Sequence, residues 1–376
     1  MTVFPWYGML VTGMGCAGLL LVAGCSGDET AQVKTAEVTV ESFHDSIITL
    51  DTHVDFEPDL ATPARDPGLR LENQRVDLVK MREGGLDGVF WAVYVGQRPL
   101  NDEHYKAAFD EALAKFSAIH RMCAAFNRDA VELAFTPEDV ERIAASGKRV
   151  TLIGVENGYS IGTDLANLDY FFKLGARYMT LTHMGFNQIG DSSDPKNDIP
   201  AGQYGGLSDF GRDVVAEMNR LGMMIDVSHI GRDSFYDVIE LSKAPIIATH
   251  SGCRALCDVP RNLDDDQLKA LAENGGLISI VGYAGYLKKP REEADLETIL
   301  DHLDHAVNIM GVDHVGIGSD FDGGGGVPGY DSPADAINVT RRLLDRGYSR
   351  EDVAKIWGGN LLRVWREAIQ AADSQM

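Results

Sequence analysis

Residues 150–158 read VTLIGVENG, a short apolar run that ends in a carboxylate, an amide and a glycine. The run Val150–Val155 is rich in β-branched residues and lacks polar alternation, which is typical of a strand buried on both faces. The polar residues that follow predict that the chain leaves the core at Glu156. The same pattern recurs along the chain, so this segment represents the unit from which we expect the fold to be built.

Seven further runs of this kind alternate with stretches of helical periodicity. The strand candidates are Ser46–Asp51, Leu86–Tyr94, Val150–Val155, Tyr178–Thr182, Met223–Val227, Pro245–Thr249, Gly276–Val281 and His314–Ser319. The helix candidates include Tyr105–Phe126, Leu207–Leu221, Asp264–Glu273, Asp295–Met310 and Pro333–Arg346. Strands separated by crossover helices predict a parallel sheet covered on both faces. Eight such units favour a closed (β/α)₈ barrel over residues 43–376, with a doubly wound open sheet as the alternative.

Composition excludes several classes of protein. The 376 residues are 44% hydrophobic with 5 Cys, which argues against a disordered chain or a disulfide scaffold. The 34 Lys and Arg against 57 Asp and Glu give a net charge of −23. Because such a surface repels phosphates and the sequence shows no basic stripe, we expect no nucleic-acid partner.

The first residues predict a sorting signal. Residues 1–25 contain no charged side chain, and the apolar run Met9–Ala23 is short for a bilayer crossing. It ends in LVAGC at Cys25, which resembles the bacterial lipoprotein box, in which the Cys is acylated. We therefore expect a signal peptide over 1–25, a polar tether over 26–42, and a lipid-anchored, extracytoplasmic protein of the cell envelope. An uncleaved anchor or a chance Cys is the alternative.

Three cysteines, Cys123, Cys253 and Cys257, lie in the predicted domain. Cys253 and Cys257 are four residues apart, so either a disulfide or two buried thiols fits the sequence. No pair of Cys-x-x-Cys motifs is present, which excludes a structural zinc ribbon.

Ligand-type side chains cluster where the predicted strands end, the rim at which barrel enzymes assemble active sites. These residues are His53, Asp55, Glu156, His183, His229, His250 and Asp320. Imidazole and carboxylate are the donors that Zn²⁺ or a similar divalent ion takes when no thiolate is offered. The remaining histidines on helical or linker stretches are expected to be solvated, and they are His44, His104, His120, His302 and His305.

The spacing indicates two cations. His53 and Asp55 are two residues apart on one strand, so both side chains point to the same side and can reach one ion. His229 and His250 follow neighbouring strands and can hold a second ion, with Glu156 between them as a bridge. Paired cations of this kind activate water for hydrolysis.

The ordered motifs resemble the membrane dipeptidase (renal dipeptidase) family of zinc peptidases, over roughly Ile47 to Trp365. The motifs are DTHVD at 51–55, GVENG at 154–158, LTH at 181–183, DVSH at 226–229, ATHS at 248–251 and GVDHVGIGSDFDG at 311–323. The resemblance implies a (β/α)₈ barrel with two zinc ions, commonly dimeric, that hydrolyses dipeptides and often tolerates a D-residue at the C-terminal position. Two departures adjoin metal ligands: Val54 stands where the family often has Asn, and Asn157 where it often has Gly.

By position, the resemblance assigns His53 and Asp55 to one zinc, His229 and His250 to the other, and Glu156 to both. It assigns Asp320 as the catalytic acid and base beside a metal-bridging hydroxide, and His183 as a contact to the scissile carbonyl. Arg261 would receive the substrate's carboxylate, and Tyr283 would contact the substrate.

Two other functions fit part of the sequence. The first is a different metal-dependent barrel hydrolase that acts on a lactone, cyclic amide, β-lactam or phosphotriester. Such sites more often open with His-x-His and use a modified Lys bridge, whereas this chain has His53-x-Asp55 and Glu156. The second is a substrate-binding lipoprotein without catalysis, which would have no use for Asp320 as a proton shuttle.

Overall fold

The computed structural model describes residues 39–195 and 204–374. Its strands are β1 Leu50–Asp55, β2 Gly88–Tyr94, β3 Val131–Leu133, β4 Arg149–Glu156, β5 Ala176–Thr180, β6 Met224–Asp226, β7 Ile247–Ser251, β8 Leu277–Val281 and β9 Val315–Gly318. Eight of them form a nearly closed parallel barrel in the order β1-β2-β4-β5-β6-β7-β8-β9, and the short β3 pairs with the first residues of β4. The predicted (β/α)₈ fold is confirmed.

The barrel closes between its first and last strands. The Asp55 amide donates to the Phe321 carbonyl at 2.9 Å, and the Asp320 amide donates to the His53 carbonyl at 3.0 Å. These bonds extend β1 to Asp55, whereas the sequence predicted a strand over Ser46–Asp51. The predicted bounds were wrong, because the polar residues of DTHVD are themselves buried and belong to the strand.

Helices follow the strands and cover the outside of the barrel. They are α1 Val40–His44, α2 Leu78–Gly84, α3 Asp102–Arg121, α4 Pro137–Ala145, α5 Leu165–Lys173, α6 Asp209–Leu221, α7 Arg232–Leu241, α8 Asp265–Glu273, α9 Ala284–Leu287, α10 Leu296–Met310, α11 Ala336–Asp345, α12 Arg350–Ala354 and α13 Asn360–Asp373. Side-chain caps fix many starts: Asp264 begins α8 and Asp295 begins α10, each within a capping box.

Helix α13 packs at the amino ends of the strands. Its Trp365 lies in a buried cluster with Leu50, Phe90 and Tyr178, and the Phe90 and Trp365 rings are 6.3 Å apart. The amino end of the barrel is therefore filled by apolar side chains. The carboxyl ends of the strands are left for polar groups, as expected for this fold.

Two histidines expected to be solvated are buried, so that prediction was wrong. His44 contacts the Gly84 carbonyl through Nε2 at 2.9 Å and the Thr340 hydroxyl through Nδ1 at 2.6 Å. His302 contacts the Leu287 carbonyl and accepts the Cys253 amide, each at 2.9 Å. Burial lowers the pKa of both imidazoles, which favours the neutral form that these contacts use.

Several remaining expectations concern the chain termini and the thiols. Cys253 and Cys257 are free and buried, so they form no disulfide. Residues 40–42 of the expected tether lie in α1. Cys25 and the expected signal peptide lie outside the described residues. Within residues 39–195 and 204–374, no helix combines the length and apolar character that a membrane crossing requires.

Candidate metal centre

The carboxyl ends of four strands bring the five predicted metal ligands together. His53 and Asp55 lie two apart in β1, Glu156 is the last residue of β4, and His250 lies in β7. His229 follows β6 by three residues. All five side chains are at most 9% exposed. The barrel thus gathers donors that are up to about two hundred residues apart in the chain.

The Glu156 carboxylate lies in the middle of this cluster. Its Oε2 is 3.4 Å from His53 Nε2, and its Oε1 is 3.2 Å from His229 Nε2 and 3.5 Å from His250 Nε2. His183 Nε2 is 3.6 Å from the same Oε1. One carboxylate therefore faces four imidazole nitrogens.

These separations fit the first coordination sphere of a divalent cation. Ligands bound at roughly 2.0–2.2 Å in tetrahedral geometry lie about 3.4 Å from one another. Three overlapping groups have ligand atoms within 4.8 Å of one another: His53 with Glu156 and His250, Glu156 with His183 and His229, and His53 with Asp55 and Asp320. His53 Nε2 is fully buried and forms no hydrogen bond, although it lies 3.4 Å from Glu156 Oε2, so the atom is available to a metal ion.

Asp55 and Asp320 approach each other beside His53, and the backbone of Gly323 makes room for them. A Cβ at Gly323 would lie 1.9 Å from Asp55 Oδ2 and 2.4 Å from Asp320 Oδ1. Only glycine leaves space for both carboxylates at this position. The glycine-rich turn after β9 is therefore part of the site.

Backbone strain is concentrated at the same rim. Of the five non-glycine residues with positive φ in the described chain, four adjoin or belong to the cluster: Asn157 at 74°, His229 at 68°, Asp320 at 59° and Asp322 at 64°. Such conformations cost free energy and cluster at functional sites. Asn157 has φ 74° and ψ 95°, a backbone conformation that residues other than glycine rarely adopt.

Burial and the close approach of charged groups shift the pKa values of the ligands. Burial disfavours the His53 imidazolium, but the Glu156 carboxylate outweighs it and raises the pKa of His53 to about 9. Burial and the neighbouring cations Arg261 and His183 lower the pKa of His229 well below its usual value. Burial and the charge of Glu156 raise the pKa of Asp55 to about 7. Crowded carboxylates of this kind are stabilised by divalent cations.

Residues behind the ligands were not predicted from the sequence. The Tyr178 hydroxyl is 2.9 Å from His53 Nδ1, and the Thr249 hydroxyl is 2.9 Å from His250 Nδ1. Thr249 in turn donates to the buried carboxylate of Asp226 at 2.7 Å. Position next to a ligand was the only signal for Thr249, and no sequence signal distinguished Tyr178 from a core aromatic residue.

A cavity of about 370 Å³ opens above the cluster. Its walls combine the ligands with aromatic and acidic side chains: Asp55, Glu57, Tyr94, Glu156, His183, Met184, His229, His250, Tyr283, Tyr286, Asp320, Asp322 and Gly323. The Tyr283 and Tyr286 rings pack edge to face at 4.6 Å. His183, Asp320 and Tyr283, which the sequence analysis assigned to the active site, all line this cavity. Tyr94, Tyr286 and Glu57 are wall residues that it did not identify.

Arg261 lies behind this cavity. It is 7% exposed, and its guanidinium donates to the Ser251 hydroxyl and to the His250 carbonyl, each at 2.6 Å. It lines a smaller cavity of about 180 Å³ and lies 5.4 Å from the Tyr286 ring centroid. Its Nε is buried without a partner. The described chain therefore places a buried cation next to the cluster, and its Nε is among the donors that form no hydrogen bond.

Comparisons with known proteins agree with this geometry. Residues 34–376 match the family model for membrane dipeptidase, peptidase family M19. The chain is 37% identical over 305 residues to dipeptidase tcpJ of Claviceps purpurea, covering 80% of this chain and 71% of the relative. It is 34% identical to dipeptidase aclJ of Aspergillus oryzae over 306 residues, again 80% of this chain and 71% of the relative.

Two solved structures extend the comparison. The probable dipeptidase PvdM from Pseudomonas aeruginosa superposes with a TM-score of 0.83 at 31% identity, covering 89% of this chain and 98% of that one. A metallopeptidase from Rhodobacter sphaeroides, solved with a phosphinate mimic of the dipeptide L-Ala-D-Ala, gives 0.75 at 29% identity, covering 86% and 99%. The barrel fold, the four imidazoles around Glu156 and these relatives all agree. The chain therefore belongs to the membrane dipeptidase family, peptidase family M19, and is a metal-dependent dipeptidase.

Proposed function

We propose that the chain is a binuclear zinc dipeptidase that also cleaves dipeptides with a D-residue at the C-terminal position. The observation that carries this proposal is the single carboxylate of Glu156, which lies 3.2–3.6 Å from the Nε2 atoms of four histidines. A bridging carboxylate with imidazoles on both sides is suited to two cations that share its charge. The absence of a thiolate from this cluster agrees with a catalytic rather than a structural zinc site.

When bound, paired divalent cations polarise a carbonyl and lower the pKa of water towards neutrality. Asp320 supplies the proton transfer: its carboxylate accepts a proton from the attacking water and passes one to the departing amine. Burial and the charges of Asp55 and Glu156 raise the pKa of Asp320 well above its usual value, although the nearby His53 opposes this. A group with a raised pKa holds a proton long enough to deliver it.

The other side chains orient the substrate. His183, at the cavity wall beside Glu156, donates a hydrogen bond to the carbonyl oxygen as negative charge develops. Arg261 binds the substrate's carboxylate, since a planar guanidinium pairs with carboxylates through two donors. Tyr283 packs against the substrate at the rim.

The size of the cavity supports a dipeptide substrate. A volume of about 370 Å³ is at the small end of ligand pockets. The phosphinate mimic of L-Ala-D-Ala in the Rhodobacter sphaeroides relative supports tolerance of a D-residue in the second position.

A hydrolysis screen with metal analysis tests the proposal. L-L and L-D dipeptides are incubated with the purified chain, alongside a lactone, a cyclic amide and a β-lactam, and the metal content is measured. We expect dipeptide cleavage, including L-D substrates, and two zinc ions per chain. Cleavage of the lactone, cyclic amide or β-lactam in preference to every dipeptide would reject the assignment, as would full activity after complete metal removal.

We also propose that the protein is anchored in the cell envelope through a lipid on Cys25 and forms a homodimer. The support is the lipoprotein-like sequence at 21–25 and the family resemblance. Metabolic labelling with a fatty acid should mark the wild type and not Cys25→Ser.

Sedimentation of a chain that begins at residue 39 measures the oligomeric state, and a monomer at micromolar concentration would reject the dimer.

A further inference from the structure

Asp226, the last residue of β6, is a fully buried carboxylate that lies behind the metal ligands. Its Oδ1 accepts the backbone amides of Ser228 at 2.9 Å and Thr249 at 3.0 Å. Its Oδ2 accepts the Thr249 hydroxyl at 2.7 Å and the Thr180 hydroxyl. Every hydrogen bond of this carboxylate is thus accepted from β5, β7 or the turn after β6.

These bonds indicate which imidazole nitrogen of neutral His250 carries the hydrogen. A threonine hydroxyl has one hydrogen, and Thr249 gives it to Asp226. In the 2.9 Å contact between the Thr249 hydroxyl and His250 Nδ1, the imidazole must therefore be the donor. A neutral imidazole has one N–H, so His250 Nε2 keeps its lone pair. That lone pair is directed at the cluster, 3.5 Å from Glu156 Oε1 and 2.9 Å from His229 Nε2.

We propose that Asp226 is a positioning residue which, through Thr249, fixes His250 in the tautomer whose Nε2 can bind a divalent cation. The inference rests on the proposed function, because it assumes that His250 is a metal ligand. His53 lacks this constraint: its Nδ1 contacts the Tyr178 hydroxyl at 2.9 Å, and this hydroxyl can donate or accept. His250 and His53 therefore depend to different degrees on the hydroxyl groups that contact their Nδ1 atoms.

The substitution Asp226→Asn tests the inference with little change in shape. The new amide group donates to the Thr249 hydroxyl, which then turns its hydrogen towards His250 Nδ1. His250 is left with its hydrogen on Nε2, where it blocks cation binding. We expect the affinity for one of two zinc ions to fall about 10–100-fold, the usual effect of removing such a partner.

The measurement is zinc competition against a chromophoric chelator, supported by the visible absorption spectrum of the Co²⁺-substituted chain. Thr180→Val is the matched control, because the Thr180 hydroxyl donates to the same oxygen of Asp226 but is not hydrogen-bonded to an imidazole in the described chain. It should retain wild-type zinc affinity. Thr249→Val should reproduce the loss, and Thr249→Ser, which keeps the hydroxyl, should restore the affinity. The Thr249 pair decides the question even if Asp226→Asn does not fold.

The outcomes separate the two levels of the proposal. Zinc binding by folded Asp226→Asn or Thr249→Val with wild-type affinity for both ions would overturn the inference and leave the proposed function intact. An equal loss in Thr180→Val would also overturn it, since the effect would then be general to the packing around Asp226. A wild-type chain that binds no zinc would overturn the proposed function and this inference together.

Discussion

At the scale of single residues, the site depends on how closely charged atoms approach. Gly323 allows the carboxylates of Asp55 and Asp320 to approach each other. The Glu156 oxygens lie 3.2–3.6 Å from the Nε2 atoms of four histidines, which is about the distance between two ligands of one metal ion. Each of these contacts would be lost through a change of one or two atoms. The predictions at this scale therefore use small substitutions.

Asp320→Asn should abolish turnover while leaving two zinc ions bound. The amide keeps the shape of the side chain but cannot accept the proton, and general acid–base groups typically contribute about 10²–10⁴-fold to the rate. Steady-state kinetics give kcat, and metal analysis of the same sample is the control. Full retained activity would reject the role assigned to Asp320.

Arg261→Lys should lower kcat/KM for dipeptides by roughly 10–100-fold, since lost hydrogen bonds to a charged group cost about 1.5–3 kcal/mol and an ammonium cannot replace a two-pronged donor at a carboxylate. A dipeptide amide, which has no terminal carboxylate, is the matched substrate. The wild type should discriminate strongly between the dipeptide and its amide, and Arg261→Lys should not. Equal discrimination by both proteins would show that Arg261 does not read the carboxylate.

Gly323→Ala should impair metal binding and activity without unfolding the barrel. The added methyl would overlap both Asp55 and Asp320, so at least one carboxylate must move. Gly359→Ala is the control, since its Cβ would meet the nearest atom at an ordinary 3.4 Å. Zinc content and circular dichroism distinguish the two cases. Wild-type zinc content in Gly323→Ala would contradict the close approach.

At the scale of elements, periodicity predicted the barrel, and the order of the strand ends predicted which residues meet. The bounds of β1 could not be predicted, because its polar residues resemble a loop. They belong to the strand because they pair with the segment that follows β9, which the local sequence does not reveal. The strand β3 was not predicted, because a segment of three residues is too short to show the alternation of a strand. His44 and His302 were misjudged for a similar reason: their buried partners lie 40 and 15 residues away.

The contact between α10 and α11 makes an element-scale prediction. Glu297 at the start of α10 pairs with Arg342 at 2.5 Å and with Arg346 at 2.7 Å. Hydrogen bonds from Arg342 and Arg346 lower the pKa of Glu297 to about 2. Because the folded pKa lies below the unfolded value, this contribution is present above about pH 4.5 and is lost as the pH falls towards 2.

Glu297→Gln should therefore reduce the free energy of unfolding at pH 7 by about 1 kcal/mol or less, since solvent screens a carboxylate that is 41% exposed. The difference from the wild type should shrink at pH 3. Urea unfolding at both pH values measures it, and Glu240→Gln on α7 controls for the change in net charge. A difference that grows on acidification would contradict the pairing.

At the scale of the whole molecule, removal of the cations should abolish activity and lower the melting temperature by several degrees. A ligand that binds only the native state stabilises it in proportion to its saturation. The chain should nevertheless stay folded, because its apolar core does not include the metal centre. Differential scanning calorimetry with and without a chelator measures the shift. Unchanged melting and activity after verified demetallation would contradict the prediction.

The left-handed backbone of Asn157, His229, Asp320 and Asp322 implies a trade-off between durability and turnover. Each of these residues holds a conformation that costs about 1–2 kcal/mol unless glycine occupies it. Exchanging any of them for glycine would relieve strain while deleting or loosening a working side chain. A more relaxed backbone at these positions would thus come at the expense of the site, and thermostabilising designs should leave the four residues unchanged.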